Sequence, residues 1–505
     1  MSMAATAGVG EARLKRCSAI LFAVSLWCAV LAVALVSLDE CPWWPISYFP
    51  ARPSYLVALA GVIFWLLSGR WYREATRHKT LLACVLGALL WSAFATVCGS
   101  LARKPGHLVF DYLFFYMNWR VLPLVFLAWI GLSFSELKNE RVAKLLSLAL
   151  LLVFLPNLVH GILEILANAG ATDIKDFLIN SNHLFRKEKV AHGWWPPVFF
   201  EGRVRGLFAE PSHMAFSLLP LLGYFTFKLH QNRLFLLPLA ALVVLDVCGK
   251  TYSGLIGIGA LGFFLVVLNP WLRPGTRRIV AVAVLALGLV GLAAGVRFLE
   301  SSGLGRTLAV QLRNIERISA YCTARNAGRQ PVVPRLDYRE DLPSSASARL
   351  TAMRLDIDAA LHSPFVGTGF FQKGFYWQPL AACDFQDAEF GLWVRQAEGD
   401  PFRTLPQLSE YTTLMAEFGF PGLFFFLFLY FFILKRSLHF SKENNDYFLF
   451  CLTCSYGAML VEALFISLIN AVLFFYLSGF LYALSQPAAS DTPALSGSSS
   501  KTTIA

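Results

Sequence analysis

Apolar residues in this chain come in runs of about 20, separated by short polar stretches. A run of that length matches the roughly 30 Å hydrocarbon core of a bilayer, and the core of a soluble domain has no need of it. The pattern predicts an all-α polytopic membrane protein with about twelve transmembrane helices. They fall roughly at 17–38, 55–69, 80–102, 108–134, 142–169, 206–226, 234–249, 252–271, 279–297, 408–434, 447–463 and 466–485. Two polar segments interrupt the alternation, 170–205 and 298–407. The second has the size of a small domain and lies between spans nine and ten. The expected organisation is a membrane domain over 1–297, a large and mainly helical loop domain over 298–407, a second membrane portion over 408–485, and a low-complexity, disordered tail over 486–505. The first apolar run is long for a signal-peptide core, and no small-residue cleavage site follows it.

Charge adds an orientation. Arg13, Lys15 and Arg16 precede the first span, and Arg70, Arg73, Arg77 and Lys79 follow the second. Lys138, Arg141 and Lys144 follow the fourth span, Lys228 and Arg233 the sixth, Arg273, Arg277 and Arg278 the eighth, and Lys435, Arg436 and Lys442 the tenth. Every second loop is basic, which predicts that both termini and these loops are cytoplasmic and that 170–205 and 298–407 are external. The net charge of +11 then reflects topology, and its dispersal over short loops argues against a nucleic-acid partner. Most of the ten cysteines fall inside spans and read as packing residues. Cys451 and Cys454 form a C-x-x-C within an apolar run, away from any redox or metal context. Cys322 and Cys383 both fall in the large loop, where a disulfide between them is open. No cofactor or metal site is expected.

Two amphipathic helices are expected in the large loop. In the first, Leu308, Leu312, Ile315 and Cys322 recur at helical spacing. Arg306, Arg313 and Arg317 fall within about 40° of one another on the opposite face. This is either a solvated basic face on a surface helix or an arginine rail for phosphates, which the planar guanidinium fork suits. The second helix starts near Ser345 and carries Leu350, Met353, Ile357, Ala360 and Leu361 as its buried stripe, with Arg349 and Arg354 at its edges. Asp358 is placed for an i,i+4 pair with Arg354. Ser363-Pro364 ends the helix, and Gly367-Thr-Gly369 turns the chain.

Charge also gathers at the mouth of the sixth span, where Arg203, Arg205, Glu210 and His213 open an apolar run. Such charges are costly and mark functional sites, here one for an anionic substrate; the alternative is an interfacial anchor. The fifth span carries Asn157, His160 and Glu164 on one face, either as helix–helix hydrogen bonding or as a cavity wall. Lys250 sits in a short hairpin between spans seven and eight. Trp43, Trp44, Trp194 and Trp195 read as interfacial belt residues or sugar-stacking platforms.

Three blocks resemble the O-antigen polymerase and ligase superfamily of bacterial membrane glycosyltransferases. The first is Arg203-x-x-Gly206-x-Phe208-x-x-Pro211, with Glu210 before the proline and Ser212 after it. The second is Arg349, Met353 and Arg354 followed by Pro364-x-x-Gly367-x-Gly369. The third is Ala416-Glu417-Phe-Gly419-Phe-Pro421-Gly422. The resemblance covers roughly residues 140–440. It implies a metal-independent, inverting transferase in the bacterial cytoplasmic membrane, with its active site on the external face. The implied donor is an undecaprenyl-diphosphate-linked oligosaccharide and the acceptor a glycan sugar, with membrane lipids, a chain-length regulator and a flippase as partners. Polymerisation of repeat units is the first reading and ligation to lipid A-core the second. A lipid-linked glycan flippase and a lipid-binding assembly protein are readings from other classes. Arg203 and Arg349 are the candidates for stabilising the leaving diphosphate. Arg205, Arg354, Lys250, Arg313 and Arg317 are candidate diphosphate contacts. Where many members of the superfamily carry His-Asn, eleven residues before the glycine of the third block, this chain has Leu408-Ser409. Glu410 is the candidate base in place of that histidine, with Glu210, His213, His160 and Glu164 as rivals or acceptor contacts.

Overall fold

The structure is a computed structural model that describes residues 2–39, 52–103, 117–185, 199–208, 210–273, 275, 304–334, 344–377, 394, 408–468 and 471–487. Among these residues every regular element is helical. In chain order the α-helices are α1 Ser2–Ala34, α2 Pro53–Leu67, α3 Trp71–Arg77, α4 Lys79–Arg103, α5 Leu122–Phe134, α6 Asn139–Asn168, α7 Thr172–Phe185 and α8 Pro211–Gln231. They continue with α9 Leu236–Gly249, α10 Tyr252–Val267, α11 Leu304–Asn326, α12 Ser344–His362, α13 Lys373–Trp377, α14 Glu410–Glu443, α15 Tyr447–Glu462 and α16 Val472–Leu484. Span nine, the Trp43–Trp44 and Trp194–Trp195 pairs, Cys383 and most of the tail lie outside the described residues.

Among the described residues four helices are long and apolar enough to cross a membrane, namely Ala12–Ala34, Lys79–Ala102, Asn139–Asn168 and Glu410–Glu443. A fifth candidate is bent: α2 and α3 meet at 93°. Shorter apolar helices, Trp119–Phe134, Tyr252–Val267, Tyr447–Glu462 and Val472–Leu484, accompany them. What the long helices expose is equally telling. On α6, Leu148, Leu152, Leu155, Val159, Ile162 and Leu166 are exposed and fall on one helical face. Phe420, Phe424, Phe428 and Phe431 do the same on α14. Apolar stripes of this length facing outward are a liability in water and the normal surface of a helix in lipid. The chain is an all-helical membrane protein.

The centre of the bundle is built from helices that are apolar all round. In α15 and α16 nearly every residue is buried, and α8 is buried from Met214 to Phe225. A helix with no polar face has no side to give to water, so it takes the middle. α8 packs on α9 and α15, α10 on α15, α16 on α5, and α4 and α12 on α14. Small residues permit the closest approaches, as where Gly223 of α8 lies against the Cys451–Ser455 stretch of α15.

Two expected elements shift. The sixth span begins at Pro211 rather than 206, because Gly206 takes φ +60° and the proline then sets the first helical turn. Residues 199–208 and 210 are therefore irregular. On α12 the buried face is not the expected leucine stripe. Leu350 and Leu361 are exposed, whereas Thr351, Ala352, Leu355, Asp356, Ala359 and Ala360 are buried. The reason is an ion pair. Lys373 draws Asp356 inward, and the alanines beside it let α12 approach its neighbours closely. α11 follows the expected pattern more nearly: Ile315 is buried, and Ile318 and Cys322 pack against Ala352, Leu355, Ala359 and Trp377.

Candidate functional site

The second and third sequence blocks are one joint. Helix α14 breaks at Gly419, whose φ of +69° and ψ of −176° are available only to glycine. The break frees three consecutive carbonyls, and each finds a partner from elsewhere. The amide of Phe420 turns away from Ala416 and donates to the Pro364 carbonyl at 2.8 Å. The Ala416 carbonyl then accepts from Thr368 N at 2.8 Å. Pro421 has no N–H to give the Glu417 carbonyl, which accepts instead from Gly369 N at 2.8 Å. The Phe418 carbonyl takes the Trp91 indole N–H of α4 at 2.9 Å. Gly367 and Gly369, at φ +65° and +84°, shape the loop that makes this fit. Gly99 of α4 lies against the Thr368 carbonyl with no room for a side chain. The Gln372 amide donates to Ser100 Oγ at 2.7 Å and to the Thr96 carbonyl at 3.2 Å. The loop after α12 is thus held between α4 and α14 by backbone and amide hydrogen bonds.

Buried ions sit beneath this joint. Lys373 Nζ donates to Asp356 Oδ2 at 3.0 Å, with both side chains almost wholly buried. The hydroxyls of Thr412 and Thr413 lie 3.3 and 3.5 Å from the same oxygen. Burial pushes the Asp356 carboxyl above the usual carboxylate range, while Lys373 and the threonines pull it back. At the first residue of α14, Glu410 pairs with Arg120 at 2.5 Å, both fully buried. Glu410 also accepts from Leu468 N at 3.0 Å, Ser467 Oγ at 3.2 Å and Tyr430 Oη at 3.4 Å. Its own amide bonds the Ala463 carbonyl at 2.9 Å. A carboxylate with four donors around it is committed to holding the 463–468 turn in place. Arg349 reaches the same turn: its Nη1 donates to the Phe465 carbonyl at 3.2 Å. The other donors of Arg349 have no partner among the described residues. Arg354 makes the expected i,i+4 pair with Asp358 at 3.3 Å. Arg313 and Arg317 are exposed on α11.

The first block is braced by α6. Glu164 Oε2 accepts from the backbone N–H groups of Arg205 and Gly206, each at 2.8 Å, and Asn157 Oδ1 accepts from Leu207 N at 2.9 Å. His160 Nδ1 lies 3.6 Å from Glu164 Oε1. The polar face of the fifth span therefore serves as a receptor for a backbone turn. Arg205 is fully buried, with its Nε 3.8 Å from Glu164 and its guanidinium 4.8 Å from the centre of the Phe200 ring. Arg203 stays half-buried and donates to the carbonyls of Gly249 and Lys250 at 3.2 and 3.3 Å. Lys250 is exposed in the left-handed region at φ +51°, and its ammonium lies beside Gly202. Arg203 and Lys250 thus place two cations at one accessible corner, with Arg205 below. Glu210 flanks the start of α8 and accepts from Ser212 Oγ at 3.1 Å. His213, on the first turn of α8, is close enough to Glu462 for their charges to interact.

Candidate residues from three distant parts of the chain therefore gather around the end of α15. His213 acts on Glu462, Arg349 holds Phe465, and Glu410 holds Ser467 and Leu468. Sequence reasoning paired Asp356 loosely with Arg349, whereas it pairs with Lys373, and did not single out Arg120, Lys373, Asp246 or Glu462. Each is an ionisable residue inside or beside an apolar run, the class of position most worth questioning. No group of three or more metal-ligating side chains occurs among the described residues. No protein-family model matches the chain, and no curated protein matches it.

Proposed function

We propose that the protein is a membrane glycosyltransferase of the O-antigen polymerase and ligase type, with about twelve spans and both termini in the cytoplasm. In this reading 298–407 is an external loop domain. The enzyme joins glycan from an undecaprenyl-diphosphate-linked donor to an acceptor sugar, polymerising repeat units of a surface polysaccharide. The observation that carries the reading is that the second and third motif blocks, separated in sequence by residues 370–415, interlock through backbone hydrogen bonds from Phe420 N to the Pro364 carbonyl and from Thr368 N and Gly369 N to the Ala416 and Glu417 carbonyls. Motif residues that act together belong together in space, and chance matches do not.

The chemistry follows from charge. Cleaving the bond between the anomeric carbon and the diphosphate oxygen develops negative charge on the leaving group. Fixed guanidinium groups stabilise it in place of a metal. Arg203 with Lys250, and Arg349 with its remaining donors, are the accessible cations for this role. Arg205 acts from below by fixing the turn. Arg354 is engaged with Asp358, and Arg313 and Arg317 contact lipid phosphate or the distal donor. Two readings are separated by product. A strain lacking the protein that accumulates single repeats on the lipid identifies a polymerase. Long unattached polymer on the lipid identifies a ligase. Absence of any externally exposed repeat identifies a flippase.

The purified protein in nanodiscs, supplied with a lipid-diphosphate-linked oligosaccharide, is expected to extend the glycan. Arg203→Ala and Arg349→Ala are each expected to lower the rate by about 10²–10³, as loss of one donor to a developing charge does. Wild-type rates in both variants would sink the assignment of these arginines.

A further inference from the structure

Four helix ends meet beside His213: the first turns of α8 and α10 and the last turns of α9 and α15. Asp246 of α9 and Glu462 of α15 both lie at this meeting. α10 presents Gly254 and Gly257 to them, one turn apart. A side-chain carbon added at Gly254 would come within 2.5 Å of Asp246 Oδ1, and one at Gly257 within 2.8 Å of Glu462 Oε2. The two carboxyl groups therefore lie along one glycine face. Asp246 is 2 % exposed and Glu462 0 %. Among the described residues none of their four oxygens has a hydrogen-bond partner. The Ser253 hydroxyl approaches Glu462 without completing a bond. This is the opposite of Glu410, whose oxygens are fully occupied.

Two bare carboxylate charges at such a place are excluded by the cost of desolvation, several kcal/mol for each ion, and by their mutual repulsion. A single proton shared between them relieves both terms and leaves one basic site. The charged groups around it are few. α8 contributes His213, and Glu210 at its cap accepts from Ser212; Lys250, after α9, turns toward Gly202. α10 contributes only the hydroxyls of Thr251 and Ser253, and Glu410 of α14 is bound to Arg120. His213 is the half-buried member, so it connects the pair to the accessible side.

We propose that Asp246 and Glu462 form a proton-sharing carboxyl pair that, through His213, takes up the proton of the acceptor hydroxyl during glycosyl transfer. This rests on the glycosyltransferase reading. The acceptor oxygen bonds to the anomeric carbon as the bond from that carbon to the diphosphate breaks. The diphosphate leaves with the electron pair, and the acceptor proton passes to His213 and on to the carboxyl pair. His213 is the catalytic residue here, and Asp246 and Glu462 are positioning residues behind it.

Two measurements on the full-length protein in nanodiscs test this. Infrared difference spectra across a pH titration are expected to show a protonated-carboxyl band that disappears in Glu462→Gln and in Asp246→Asn. A band unchanged in both variants overturns the proposal whatever the activity. With lipid-linked oligosaccharide as substrate, Glu462→Gln is expected to lower kcat by about 10²–10⁴ at unchanged donor binding and to displace the acid limb of the pH–rate profile. Glu462→Asp is expected to restore part of the rate, which a purely structural role would not require. Wild-type kcat and pH profile in both variants overturn the proton pathway and leave the transferase reading standing. A wild type that carries the band but transfers no glycan overturns the transferase reading and the pathway together.

Discussion

Replacing Glu410 with methionine is expected to destabilise the protein by about 3–5 kcal/mol, and replacing Arg120 with methionine by distinctly less. The pair is fully buried, so either change leaves one charge without its partner. The two survivors differ. Without Arg120, Glu410 keeps three donors, from Tyr430, Ser467 and Leu468, and it can also take up a proton. Without Glu410, Arg120 has no hydrogen-bond partner among the described residues, because its Nε and Nη2 have none there even now. A guanidinium does not shed its charge to escape this. The double variant Arg120→Met/Glu410→Met is expected to regain most of the loss, since methionines suit the space and the desolvation cost vanishes with the charges. Unfolding of the four proteins in nanodiscs, compared as a double-mutant cycle, measures the coupling. Equal losses in the two single variants would overturn the claim that Arg120 depends on Glu410 alone. The same experiment bears on the missing histidine of the third block. If Glu410 is a base, Glu410→Gln abolishes transfer while the fold stays intact. If it is a clamp on the 463–468 turn, transfer falls in step with the folded fraction.

These contrasts follow the line between what periodicity records and what it does not. The apolar runs mark the membrane class, because every lipid-facing position must be apolar and the count per run is set by bilayer thickness. The turn glycines of the three blocks are also legible, since few other residues adopt the conformations of Gly206, Gly367 and Gly419. Side-chain partners are not. Arg120 and Glu410 are 290 positions apart, and nothing local in either neighbourhood names the other. Asn157 and Glu164 are visible as a polar face. Their partners are the backbone amides of residues 205–207, and an amide leaves no trace in the sequence. The face of α12 was misread for a related reason. Hydrophobic spacing favoured Leu350 and Leu361, but a buried ion pair and three small alanines decided which side turned inward. Asp246 and Glu462 could have been found, as lone acids in apolar runs, by asking why each is there.

Gly419→Ala carries the second large effect, and it falls on the joint between α4, α14 and the loop after α12. The substitution forces a β-carbon into a conformation that costs about 1–3 kcal/mol for any other residue. It also drives that carbon into the Phe365 and Pro364 carbonyls, an overpacking term of about 1–3 kcal/mol more. The strain has no local escape. A shift of α14 toward regular helix would return Phe420 N to Ala416 and so strip Pro364 and Thr368 of their partners. The expected result is a protein whose loop after α12 becomes sensitive to protease while α15 and α16 stay protected. Those two helices pack on one another, on α8 and on α5, in addition to their contacts with α14. Gly419→Ala is therefore expected to separate the joint from the bundle, and limited proteolysis in nanodiscs reads the difference. Cleavage of both at the same rate would show that the bundle depends on the joint. Wild-type resistance throughout would show that the three interlocking backbone bonds do not hold the loop. Arg349 gives an internal control, because its bond to Phe465 ties α12 to the 463–468 turn by a separate route. Loosening at Gly419 with Arg349 intact leaves that tether, and Gly419→Ala combined with Arg349→Ala is expected to release the loop further than either change alone.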